Sequence, residues 1–156
     1  MAGELCVPGY TVVERRRDKG RRGGLAILVR KSLKILSENS NEYALQVQLG
    51  LPDGQRATIT NVYLPPSTSL LRRHVSDKTA QAAVQEIVTS APATKFVITC
   101  GDFNSRCGTR APTVGGVQLP RSSMDSKECH RAPWLVHLAE LAELHILNGK
   151  EPQEPA

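Results

Sequence analysis

The chain has 156 residues, enough for one domain built around one core. Its apolar fraction of 40% argues against a disordered chain, and a formal net charge of +5 favours a polyanionic partner over a basic one. The longest uninterrupted apolar run, Leu25 to Val29, is strand-sized and far too short to cross a bilayer, so no membrane partner is expected. The N-terminus carries no basic segment followed by an apolar stretch, so no signal peptide is read and an intracellular home, nucleus or cytoplasm, is expected.

In chain order, Gly9 to Val13 reads as a short strand running into a basic loop, Glu14 to Arg22, punctuated by Gly23-Gly24. Leu25-Ala-Ile-Leu-Val29 is apolar throughout and predicts a strand buried on both faces. From Tyr43 to Leu49 the pattern alternates: Tyr43, Leu45, Val47 and Leu49 point one way, Ala44, Gln46 and Gln48 the other. Leu51-Pro-Asp-Gly54 is a turn signal, and Ala57 to Leu64 is the return strand of a hairpin, stopped by Pro65-Pro66.

The period then lengthens. Leu71, Val75, Ala83, Val84, Ile87 and Val88 predict a helix between Leu70 and Thr89, closed by Ala91-Pro92. Lys95 to Cys100 predicts another buried strand, leading into Gly101-Asp102-Phe103-Asn104. A polar loop covers Ser105 to Lys127, a second helix contains Trp134, Leu135, Leu138, Leu141 and Ala142, and one more strand is expected to begin at His145 to Leu147. The expectation is a single domain with its core between residues 9 and 149 and a frayed tail over 150 to 156.

The cysteines, Cys6, Cys100, Cys107 and Cys129, have no zinc-ribbon spacing and read as reduced, mostly buried thiols. His74, His130, His137 and His145 show no metal-ligand spacing and read as surface or packing residues.

Three segments, in this order, carry a family resemblance: Arg21-Arg-Gly-Gly-Leu-Ala-Ile-Leu-Val-Arg30, Thr60-Asn-Val-Tyr-Leu-Pro-Pro66 and Val97-Ile-Thr-Cys-Gly-Asp-Phe-Asn104. A weaker fourth runs from Trp134-Leu135 to Leu147-Asn-Gly149. Together they resemble the endonuclease/exonuclease/phosphatase (DNase I-like) superfamily, and the compact spacing is most similar to the endonuclease domains of non-LTR retrotransposons. The resemblance implies an α/β fold, a layered sandwich with a mixed, mostly antiparallel sheet, and Mg²⁺-dependent hydrolysis of phosphodiesters in nucleic acid, DNA in particular.

By the same resemblance Asp102 and Asn104 match the family's catalytic Asp and Asn, and Tyr63 matches a phosphate-contacting tyrosine. The chemistry suits them. A carboxylate just past a strand end can orient or deprotonate water, an amide can orient a phosphoryl oxygen without adding charge, and a phenol can donate to a developing oxyanion. The plainer readings are a turn for Asp102 and Asn104 and a packed aromatic for Tyr63. Asn61, on the face of Tyr63, is a lesser candidate. The basic cluster Arg15, Arg16, Arg17, Lys19, Arg21 and Arg22 serves equally as a set of nucleic-acid phosphate contacts, a solvated loop or a nuclear-import signal.

Two departures from the pattern set a further expectation. The family's early metal-binding Glu and its closing Ser-Asp-His motif find no match here; Glu4, Asp125 and His145 stand in the wrong contexts. The sequence therefore reads as truncated at both ends, incomplete as a fold, with Mg²⁺ binding weak or lost and little nuclease activity of its own. Two alternatives stand beside the nuclease reading: a catalytically inactive nucleic-acid-binding or interaction module, and a hydrolase of small phosphoesters such as inositol phosphates.

Overall fold

The computed structural model describes residues 5–16, 24–66, 75–118, 121 and 123–147. The chain divides into two compact units, Met1–Phe103 and Asn104–Ala156. The fold is mixed α/β with mostly antiparallel pairing, as the sequence implied.

Among the described residues, the first unit holds six strands and a helix in three layers. β1 (Tyr10–Arg16) and β2 (Gly24–Arg30) form an antiparallel hairpin. β3 (Lys34–Ser40), β4 (Ala44–Gly50), β5 (Arg56–Tyr63) and β6 (Phe96–Asp102) form a sheet in that order, antiparallel except for the parallel pair β5–β6. That parallel pair needs a crossover, which α1 (Asp77–Thr89) supplies. The hairpin contributes Val13, Leu25 and Val29, and the sheet Leu45, Val47 and Leu49, to one buried cluster.

β4 is buried on both faces, polar positions included. Its Gln46 and Gln48 look toward the helix side, where Gln46 Nε2 donates to Thr60 Oγ1 at 3.0 Å and to the Ile87 carbonyl at 2.9 Å. The alternation expected from the sequence is present, but its polar half is sealed under α1 (buried Ala80, Val84, Ile87 and Val88), where Gln46 finds its partners. The β4–β5 turn closes as anticipated: Gly54 sits at φ +80, its N–H reaches the Leu51 carbonyl at 3.0 Å, and Asp53 Oδ1 accepts from Gln55 N.

Several expectations are corrected. β1 continues through Arg16, so Arg15 and Arg16 stand on a strand rather than in a loop. β2 is buried on one face only, with Leu28 45% exposed. β3 is a strand the sequence did not announce; as an edge strand exposed along most of its length it has no apolar alternation to read. β6 is not buried on both faces either, since Phe96 is 44% and Ile98 52% exposed and no further strand pairs with it among the described residues.

α1 begins at Asp77 rather than near Leu70. Ser76 takes an extended conformation, and its hydroxyl accepts from Thr79 N at 3.1 Å, filling one of the orphan donors of the first turn. Ser76→Ala is expected to lower stability by about 1 kcal/mol, read as a lower urea midpoint at unchanged slope. Residues 67–74, including Leu71 and His74, lie outside the described residues.

The second unit contains a two-residue hairpin, β7 (Thr113–Val114) with β8 (Val117–Gln118), turned by Gly115 and Gly116, both at positive φ. The segment expected to be loop thus carries this hairpin and an isolated bridge between Cys107 and Glu128. α2 (Ala132–Leu141) has Pro133 in its first turn and buries Ala132, Leu138 and Ala139. Residues 144–147 form no strand, contrary to the expectation there, and the frayed tail expected over 150–156 lies outside the described residues.

Candidate active site

β5 and β6 run parallel and end together, and their register sets Tyr63 beside Asp102, about 5 Å apart as adjacent strands are. The ladder continues one step further, with Leu64 N donating to the Asp102 carbonyl at 2.9 Å, so the backbone of the carboxylate is tied to the end of β5. Ligand chemistry in α/β sheets gathers at the carboxyl ends of parallel strands, and this pair lies at such an end. Asp102 is exposed; Tyr63 is half-buried and packs against the core between hairpin and sheet.

The residue that permits this geometry is Gly101. At φ +125 it lies where L side chains rarely go, and an added Cβ would run into the Val62 carbonyl oxygen, with Val62 N at 2.7 Å and Asn61 Oδ1 at 2.9 Å. Only a glycine lets β6 hug β5 this closely immediately before the carboxylate. Asn61 is itself engaged, its Nδ2 donating to the Ala26 carbonyl of β2 at 3.1 Å. That bond stitches the hairpin to the sheet and assigns Asn61 a structural task.

Asn104 opens the second unit at φ 44. An extended backbone would turn its side chain to the side of Asp102, but β6 ends at Asp102 and Asn104 is left-handed, a conformation asparagine tolerates. Its backbone is held instead by Arg131, which sequence reasoning did not single out. Arg131 is 1% exposed, and its guanidinium donates to the Asn104 carbonyl at 3.4 Å. Its 27-residue separation from Asn104 left no local signal. Arg131→Met is expected to cost about 1–3 kcal/mol by removing the buried donor, with faster amide exchange at residues 104–107 as the check.

Arg15 and Arg16 lie on β1, where Glu14 Oε1 accepts from Arg16 Nε at 2.5 Å and Arg15 bonds the Arg16 carbonyl. Arg17, Lys19, Arg21 and Arg22 lie outside the described residues, as does Glu4. His130, His137 and His145 are exposed. Asp125 pairs with Arg106 at 2.8 Å. The cysteines are free, but Cys6 and Cys100 are exposed rather than buried.

The matching family model is that of the Endonuclease/Exonuclease/phosphatase family, over residues 2–125. The chain belongs to this family. No curated protein and no solved structure shows a significant match. The endonuclease/exonuclease/phosphatase assignment places the chain among enzymes acting on phosphoesters, and its members typically depend on a divalent metal. The matched stretch contains Tyr63, Asp102 and Asn104. Among the described residues no group of three or more His, Cys, Asp or Glu side chains could hold a metal ion. Asp102 offers a hard oxygen suited to Mg²⁺, but the described residues do not amount to a Mg²⁺ site by themselves. No described helix is long and apolar enough to cross a membrane.

Proposed function

We propose that this chain belongs to an endonuclease-type enzyme that hydrolyses phosphodiesters of nucleic acid, DNA before RNA, similar to the endonuclease domains of non-LTR retrotransposons. The observation that carries the reading is the Tyr63–Asp102 pair in register at the carboxyl ends of two parallel strands. In this reading Asp102 accepts the proton of the attacking water and orients it. Tyr63 donates from its phenol to a phosphoryl oxygen, and the Asn104 amide orients another. Arg15, Arg16, Arg17, Arg21 and Arg22 contact neighbouring phosphates, each neutralised phosphate releasing counterions. Mg²⁺ would supply charge neutralisation on the phosphate, and with the donors described its affinity for this chain alone is weak.

A second reading, a nucleic-acid-binding module without cleavage, is favoured by the combination of a +5 charge and the lack of a metal-ligand cluster among the described residues. Two measurements separate them. Supercoiled plasmid is incubated with the chain and Mg²⁺, with Asp102→Ala as the comparison, and the same plasmid is used in mobility shifts at rising salt. Nicking above the Asp102→Ala level supports the enzyme. Equal background with salt-sensitive shifts leaves the binding module. Turnover of inositol phosphates with no effect on plasmid would redirect the substrate to small phosphoesters.

A further inference from the structure

Two of the four cysteines converge in the second unit, and neither the family assignment nor the proposed hydrolysis uses them. Cys107 sits in the isolated antiparallel bridge opposite Glu128, the residue before Cys129. Cys129 N donates to the Arg106 carbonyl at 3.0 Å, and Arg106 N donates back to Cys129 Sγ at 3.2 Å. A single hydroxyl, Ser105 Oγ, lies 3.9 Å from Cys107 Sγ and 3.7 Å from Cys129 Sγ. Two thiols on facing segments therefore share one hydrogen-bonding group.

Their environments differ. Cys107 is buried, whereas Cys129 is half-buried, within reach of a small oxidant, at the entry to α2. Burial pushes the Cys107 thiol up, and the Ser105 hydroxyl and Arg121 do not reverse it. Burial acts the same way on Cys129 but is outweighed there by the N–H groups of Arg106, Arg131 and Ala132 and by the Ser105 hydroxyl, which bring it below the usual thiol value. An accessible sulfur ringed by donors favours the thiolate, the reactive form, and a buried neutral thiol beside it is suited to resolving what forms.

We propose that Cys129 and Cys107 form a peroxide-reactive pair, with Cys129 as the attacking sulfur and Cys107 as the resolving one, joined by oxidation into an intrachain disulfide. The oxidant is hydrogen peroxide. The Cys129 thiolate attacks one peroxide oxygen, the O–O bond breaks, and the product is a Cys129 sulfenic acid with hydroxide, which takes up a proton as water. Cys107 sulfur then attacks the Cys129 sulfur, the S–O bond breaks, and the departing hydroxide leaves as water with the Cys107 proton. Two thiols lose two hydrogens and one peroxide becomes two waters. The closed bond ties the Cys107 bridge to the entry of α2, and a thiol reductant reverses it.

The test uses the reduced wild-type chain, treated with equimolar hydrogen peroxide, quenched with an alkylating agent and mapped by peptide mass spectrometry. The expected result is a Cys107–Cys129 crosslink forming while Cys6 and Cys100, both exposed, remain alkylatable and serve as internal references. At lowered pH the folded chain is alkylated at Cys129 in preference, because the surrounding donors hold its thiol below the usual thiol value. In urea the preference disappears. Cys107→Ser, where it folds, accumulates the Cys129 sulfenic acid as a dimedone adduct; the wild-type map stands without it. Oxidation of Cys6 or Cys100 ahead of Cys129, disulfides between chains only, or a preference that survives in urea would each overturn the proposal.

Discussion

Asp102→Ala is expected to lower the rate of phosphodiester cleavage by about 10²–10⁴-fold, the usual contribution of a positioned acid–base group. The substitution is at an exposed site at the end of β6, so folding stability should change by about 1 kcal/mol or less. Plasmid nicking rates beside thermal melts separate the two effects. Tyr63→Phe refines the result. Its ring packs against the core and phenylalanine keeps that packing, so a drop of about tenfold would report the phenol's bond to phosphate. A Tyr63→Phe rate equal to wild type, beside an inactive Asp102→Ala, would return Tyr63 to a packing role and leave Asp102 without its neighbour in the chemistry.

The second large effect lies one residue earlier. Gly101→Ala should destabilise the first unit by about 2–4 kcal/mol, combining an unfavourable φ with a forced collision. The collision is with backbone, the Val62 carbonyl and N–H, which cannot swing aside as a flexible side chain does. For a chain of this size the loss corresponds to a melting temperature lower by about 5–15 °C. The β5–β6 separation must widen to admit the methyl, so the Tyr63–Asp102 register is disturbed even in the molecules that stay folded, and activity falls beyond what the melt predicts. An unchanged melting temperature would show that β6 does not run as close to β5 as described.

These effects lie at the part of the molecule the sequence made most legible. The Gly-Asp-Phe-Asn run was readable as a motif, and the β4–β5 hairpin was readable because alternation and a Pro-Asp-Gly turn agree. What stayed hidden has physical causes. β3 is an exposed edge strand, and a strand with no core to face leaves no periodic trace. Leu25–Val29 and the Lys95–Cys100 run look alike as apolar stretches, and composition alone does not tell a strand with an uncovered face from one with both covered. The start of α1 was set by a serine hydroxyl rather than by the apolar period before it. At Asn104 the motif carries no orientation, because the strand has ended at Asp102 and the residue is left-handed. The Cys107–Cys129 cluster and the Arg131–Asn104 bond join residues 22 and 27 positions apart, a proximity only the tertiary fold creates.

The carboxylate of Asp102 is carried by β6, a strand laddered along one flank among the described residues and solvated at Phe96 and Ile98. Such a strand opens at lower free energy than β4, which has a neighbour on each flank and is buried along nearly its whole length. Warming should therefore strip deuterium protection from β6 amides while β4 amides still hold theirs. On the proposed nuclease reading, heat inactivation would then precede the loss of circular dichroism, a gap between function and fold that tightening β6 alone should close.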